Sequence, residues 1–285
     1  MSTVTDPSIR LVFCEGHSGS LDVELLMRFI PIGKAEIRPV GGKSSMRAFI
    51  QGHMSNYSSQ PDKCPTYLGF RDRDFDIEPP DKPGLIPMYG TTPIWLTYRA
   101  CVESYFIDSQ LLHDYWLEHC VGPQWQHGSP LPVDVIETKI IESARELADY
   151  QAIRWALSKM KPGTRWPEIL TTWTDGSGYL PFSLSFPECL DQAMKLVDNF
   201  VKEVSVVTVD KLSDAVQDYR RRFTQDEFYS EQFFLVWFHG KDLLANLSRY
   251  LAPNFPRKHY AKWAANHVSL SSHPDLQNLA DICST

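Results

Sequence analysis

Two acidic clusters give this chain its potential for chemistry. Glu15 lies in Phe13-Cys14-Glu15-Gly16, and Asp72, Asp74 and Asp76 lie in Arg71-Asp72-Arg73-Asp74-Phe75-Asp76. Each follows a short apolar stretch of strand character, 9–14 for the first and 67–70 for the second. In a sheet of parallel strands, residues just past the strand ends gather at one edge, where open α/β folds bind their ligands. Carboxylates gathered there repel one another. A divalent cation is the usual way to neutralise them, and oxygen-rich ligation suits Mg2+ or Mn2+. The chemistry expected is metal-dependent and directed at phosphate.

Each residue also has a blander reading. Glu15 sits where a strand turns into a helix, a place that favours close approach by phosphates. Taken alone, it reads as a glutamate stabilised by a helix dipole. Asp22 and Glu24 lie on the helix that follows, and Asp22, nearer the turn, is the better second carboxylate. Asp72 and Asp74 are alternate residues leaving a strand and so point the same way, able to grip one ion or flank two. The competing reading is a solvated acidic turn balanced by Arg71 and Arg73. Glu103, after another apolar stretch, either ligates a second metal or caps a helix. Lys241, in His239-Gly240-Lys241-Asp242, follows the apolar run 233–238 and can stabilise charge on a transferring phosphate. Alone it reads as a surface lysine.

Val40-Gly41-Gly42-Lys43-Ser44 tempts a phosphate-loop reading, but the position that must be glycine is Ile37, which removes ATP binding there. The two glycines still let Lys43 meet a phosphate. Arg220-Arg221-Arg222 and Arg257-Lys258 read as solvated helix faces, and the nine histidines show no metal spacing.

The elements that must position these residues alternate between strand and helix over 8–115. Strands are expected at 9–14, 35–40, 67–70 and 94–98, with a shorter one near 85–89. Helices are marked by Leu21, Leu25, Leu26 and Phe29, by Met46, Phe49, Ile50 and Met54, and from Val102 onward. Such alternation implies an α/β fold with a mostly parallel sheet. After residue 112 the pattern becomes helical, at 133–160, 187–204, 211–223 and 257–266, with an irregular connection at 162–187. The domain expectation is an α/β core at 8–112 and a helical region at 113–285, from which 233–247 returns to the core.

With 285 residues, 43% hydrophobic and 22% charged, the composition is that of a soluble globular protein. The start, Met1 to Asp6, lacks a signal pattern, and no run is apolar enough to span a bilayer. Six scattered cysteines, none in a Cys-x-x-Cys pair, read as reduced thiols of a cytoplasmic protein. The net charge of −7 disfavours indiscriminate coating of nucleic acid but leaves a metal-dependent nuclease open.

The ordered phrases Cys14-Glu15-Gly16, Val40-Gly41-Gly42-Lys43-Ser44, Asp72-Arg73-Asp74-Phe75-Asp76, Val102-Glu103-Ser104-Tyr105 and His239-Gly240-Lys241-Asp242-Leu243-Leu244 resemble the OLD-type TOPRIM nuclease family. They look closest to its stand-alone branch, which includes the effector of the PARIS anti-phage defence system. The resemblance covers about 8–110 and returns at 236–247. It implies a Rossmann-like TOPRIM sheet with a helical insertion or C-terminal helical region, and metal-dependent phosphodiester cleavage. Carried over, Glu15, Asp72 and Asp74 are metal ligands, Glu103 is a further ligand, and Lys241 stabilises the transition state. The chain lacks the ATPase to which OLD proteins are fused, so the resemblance implies a separate ABC-type ATPase partner. It also implies a toxic effector that cleaves host tRNA as a homodimer.

Nothing in the residues selects tRNA over DNA. The competing readings are a DNA-nicking TOPRIM nuclease, a phosphatase or glycosyltransferase built on Asp72-x-Asp74, and an inert TOPRIM-like binding module. Against the phosphatase, the Asp-x-Asp pair follows the third strand and Asp76 stands where threonine or valine is needed.

Overall fold

The computed structural model describes residues 10–30, 33–88, 92–123, 125–160, 173–174, 181–183, 185–205 and 207–284. The expected polar start lies outside them, as does most of the connection expected at 162–187. Two compact units are formed, one from 1–147 with 225–285 and one from 148–224.

The first unit is built on a five-stranded sheet. The opening strand β1 (Arg10–Cys14) is buried from Leu11 to Cys14, as an interior strand covered on both faces must be. Helix α1 (Leu21–Phe29) follows, burying Val23, Leu25, Leu26 and Phe29 at helical spacing. Next come β2 (Ala35–Pro39), α2 (Met46–Ser55) and β3 (Tyr67–Arg71). The short β4 (Ile86–Pro87) and β5 (Ile94–Leu96) complete the sheet.

The strand order is β2-β1-β3-β5-β4; β1 pairs in parallel with β2 and β3, β3 in parallel with β5, and only β4 runs antiparallel. The chain is therefore α/β with a mostly parallel sheet. After β2 it crosses to the opposite side of β1 to lay down β3. In sheets of this kind such a reversal marks a ligand crevice beyond the carboxyl ends of the strands on either side, here β1 and β3. One face of the sheet packs Leu11, Phe13, Ile94 and Leu96 against Met46 and Ile50 of α2.

Two local expectations change. The strand expected over 94–98 ends at Leu96, because Thr97 turns its hydroxyl onto the Arg99 carbonyl, 2.7 Å away. The helix expected from Val102 is first a 3-10 turn, Val102–Phe106, and α3 (Ser109–His119) starts only after Asp108, whose side chain accepts the Leu111 N–H at 2.8 Å.

Helix α4 (Val133–Lys159) gives this unit its residues through Leu147 and gives the second unit the rest. The second unit adds α5 (Phe186–Val204) and α6 (Val209–Phe223). It buries Trp155 against Tyr219, ring centroids 5.7 Å apart, with Phe223 beside Tyr219. Arg220 pairs with Asp149 at 2.7 Å and Arg221 with Asp218 at 3.7 Å, so this arginine run is a solvated, ion-paired helix face.

The first unit resumes with α7 (Asp226–Ser230), α8 (Phe234–Trp237), α9 (Gly240–Leu251), α10 (Arg257–Ala265) and α11 (Pro274–Ser284). Helix α10 packs on α1 and α3, and α9 on the 3-10 turn. Among the described residues no helix is long and apolar enough to cross a membrane.

Candidate metal centre

Glu15 is the first residue beyond β1. The chain reverses at Gly16, whose φ of +83° suits glycine, and a Cβ there would stand 2.4 Å from the Ser20 Oγ. Two backbone hydrogen bonds, Gly16 N–H to Gly41 O at 2.7 Å and Gly41 N–H to Gly16 O at 2.8 Å, clamp this turn to the loop after β2. Asp22 follows in the first turn of α1.

Asp72 and Asp74 lie just beyond the end of β3, and Asp74 adopts a φ of +50°, so a continuing strand is not what positions them. The Asp72 Oδ1 accepts the Val102 N–H at 2.9 Å, at the 3-10 turn. The Asp74 Oδ1 lies 3.1 Å from the His239 Nε2, and its Oδ2 accepts the Lys43 ammonium at 2.6 Å. Between them Arg73 is fully buried and donates to the carbonyls of Tyr98, Asp74, Ile77 and Val236. Arg71, Asp72 and Arg73 are nearly excluded from solvent, whereas Asp74 is half-buried and Asp76, paired with Arg71, is exposed.

Glu103 lies on the 3-10 turn and is 8% exposed. Ligand atoms of Asp72, Cys101 and Glu103 all lie within 4.8 Å of one another. Lys241 reaches the same place from α9, its Nζ 3.7 Å from the Glu103 Oε1. Gly240 makes that approach possible. A Cβ on it would stand 2.3 Å from the Ser104 backbone nitrogen, so only glycine lets the start of α9 rest on the turn.

Burial and mutual repulsion dominate the electrostatics. Burial, then Asp74 and Asp22, push the Glu15 carboxyl up to about 7. Burial, then Glu103 among the neighbouring charges, pushes Asp22 up to about 6. Burial raises Asp72 well above the carboxylate range, with Asp22, Asp74, Glu103 and Glu15 adding to it. Asp74 behaves oppositely: although burial opposes it, the hydrogen bonds from His239 and Lys43 hold it below its ordinary value. Burial also works against Lys241, yet Glu103 and Asp72 hold its ammonium above the usual lysine value.

Asp74 is therefore neutralised by side chains of the chain itself, whereas other carboxyls of the set keep unpartnered oxygens. The Glu15 Oε1, Asp22 Oδ1 and Glu103 Oε2 are buried with no hydrogen-bond partner among the described residues. Buried anionic oxygens without partners are costly, and a cation or protons must compensate them. The oxygen donors present fit a hard divalent ion such as Mg2+ or Mn2+.

Cys101, His239 and Asp74 line up like a nucleophilic triad, but the geometry does not support one. The Cys101 Sγ is 3.8 Å from the His239 Nδ1, its side chain is fully buried, and burial raises its thiol well above the ordinary value.

All six residues singled out in the sequence, Glu15, Asp22, Asp72, Asp74, Glu103 and Lys241, come together in this crevice. Sequence reading missed His239 and Cys101, and it gave Lys43 a phosphate rather than Asp74 as partner. His239 carries a signal only through its adjacency to Gly240-Lys241. Cys101 carries one only through its place two residues before Glu103. No protein-family model matches the chain, and no curated protein matches it.

Proposed function

We propose that the chain is a metal-dependent phosphodiesterase of the OLD-type TOPRIM kind. The observation that carries this reading is the set of buried, unpartnered carboxylate oxygens of Glu15, Asp22 and Glu103 at the sheet's reversal point, beside Asp72 and within reach of Lys241. Asp72 and Glu103 are the residues to hold a divalent cation, with Glu15 and Asp22 completing the set. The chemistry a bound divalent cation supplies is Lewis acidity, toward the scissile phosphate and toward the attacking water. Lys241, its side chain 60% exposed, presents an ammonium to the open side of the crevice, where it meets negative charge developing on the leaving oxygen. Gly240 fixes the start of α9, and so the distance at which Lys241 works.

The motif order adds the finer reading. The substrate is a nucleic acid, with host tRNA placed ahead of DNA. The chain acts as the toxic effector of an anti-phage defence system, held by a separate ABC-type ATPase and active as a homodimer once released.

Incubation of the purified chain with total tRNA and with plasmid DNA, each with Mg2+ or Mn2+, tests this. The expected result is metal-dependent cleavage of tRNA, reduced at least about a hundredfold in Glu103→Gln and Glu15→Ala, the scale of losing a group that stabilises transition-state charge. Nicked plasmid with intact tRNA would move the assignment to the DNA-cutting branch. Cleavage undiminished in both variants would refute the site.

A further inference from the structure

The acidic set at the crevice is divided by its counter-charges. Asp74 and Asp76 are already met by cations, charge for charge. The Lys43 Nζ lies 2.6 Å from the Asp74 Oδ2 and 3.1 Å from each Asp76 oxygen, and the Arg71 Nη2 lies 2.5 Å from the Asp76 Oδ2. The remaining Asp74 oxygen is taken by the His239 Nε2 at 3.1 Å. Both oxygens of Asp74 are thus occupied by side chains of the chain itself. Across the crevice, Glu15, Asp22 and Glu103 each keep a buried oxygen without a partner among the described residues, and the Lys241 Nζ lies 3.7 Å from the Glu103 Oε1.

Lys43 is held where it is. Its loop is tied to the Glu15 turn by the paired hydrogen bonds between Gly16 and Gly41, and the Ser45 Oγ donates to the Gly42 carbonyl at 2.7 Å. One ammonium touching three carboxylate oxygens does what a second metal ion would do between Asp74 and Asp76. An ammonium carries one charge in place of two and offers no Lewis acidity, so it neutralises without activating.

We infer that Lys43 is a built-in counter-cation that fills the Asp74–Asp76 position, so that the chain takes a single divalent cation, on the Asp72–Glu103 side. The inference rests on the metal-dependent reading above and fixes its stoichiometry. Asp74 then acts as a positioning residue, holding Lys43 and His239 in place.

Titration of the purified full-length chain with Mn2+, followed by calorimetry and by the electron paramagnetic resonance of free Mn2+, tests this. Wild type is expected to bind one ion per chain. Lys43→Met, which keeps the aliphatic stem and removes the charge, is expected to bind two, and the second is expected to disappear again in the Lys43→Met, Asp74→Asn double variant. Glu103→Gln is expected to lose the first ion and leave the Lys43 contacts alone. Circular dichroism establishes that each variant is folded, with Lys43→Gln as the replacement should Lys43→Met not fold. Two ions bound by wild type, or one still bound by the folded Lys43 variant, would overturn the inference and leave the metal-dependent reading standing. No Mn2+ bound by wild type would overturn both.

Discussion

At the scale of single residues, Glu15, Asp22 and Asp72 are tuned against their own ionisation, while Asp74 is held ionised by Lys43 and His239. Glu15 moves from an ordinary 4.5 up to about 7, and Asp22 from 3.8 up to about 6. In the metal-free protein, both therefore keep protons that the unfolded chain has already released. The stabilisation this gives is fully present below the unfolded values of 4.5 and 3.8, and is lost as pH rises through about 6 and about 7. A divalent cation must displace the same protons. Its affinity is accordingly expected to rise across this window, by up to about tenfold per pH unit for each proton displaced. Calorimetry of Mn2+ binding at about pH 5.5 and about pH 8, in buffers of different ionisation enthalpy, reads affinity and proton release together. Affinity that is flat over that range would show that these carboxyls are not where the ion binds.

At the scale of elements, α9 is set by contact with the 3-10 turn. An added methyl at Gly240 meets the Ser104 nitrogen at 2.3 Å and the Glu103 carbonyl carbon at 2.7 Å, and backbone atoms cannot swing aside. Gly240→Ala is expected to cost about 1–3 kcal/mol, as overpacking does, and to carry Lys241 away from Glu103. Gly52 of α2 is the control. A Cβ there meets nothing within 4 Å, so Gly52→Ala is expected to be neutral or to stabilise by about 0.5–1 kcal/mol. Melting curves paired with cleavage rates separate the two; equal behaviour would show that the α9 contact is not limiting. The elements themselves were largely legible in the sequence. Apolar runs of strand length gave β1 and β3, a strand was also expected where β2 lies, and 3.6-residue spacing gave α1 and α2. The 3-10 form of Val102–Phe106 was not legible, because a buried stretch of five residues fits strand, turn or helix equally well. The run 233–238 likewise holds the short helix α8, whose helical state its apolarity alone does not announce.

At the scale of the whole molecule, the crevice draws on residues 15, 22, 43, 72–76, 101–103 and 239–241, all in the unit that 225–285 rejoins. The residue types could be picked out because acidic residues just past strand ends are an informative pattern. Their pairing could not, since Lys43 with Asp74 and His239 with Asp74 depend on loop conformations and on the reversal of strand order. The group that joins these distant segments is Arg73. Its guanidinium is fully buried and ties Tyr98 beyond β5, Ile77 in the acidic loop and Val236 in α8 to the end of β3. Burial lowers its pKa only to about 10, so it stays charged at neutral pH. Arg73→Met would strand those carbonyls without their donor, at about 1–3 kcal/mol for each group left buried and unsatisfied. Taking the loss as about 3 kcal/mol, the midpoint of thermal unfolding is expected to fall by about 6–12 °C for a chain of this size. Mn2+ affinity is expected to fall with it, because Asp72 and Asp74 flank the arginine. Arg73→Lys keeps the charge but reaches fewer carbonyls, and its midpoint is expected to lie between the two. A midpoint for Arg73→Met within a degree or so of wild type would show that these segments are held together by packing alone, and that the two aspartates need no buried strut between them.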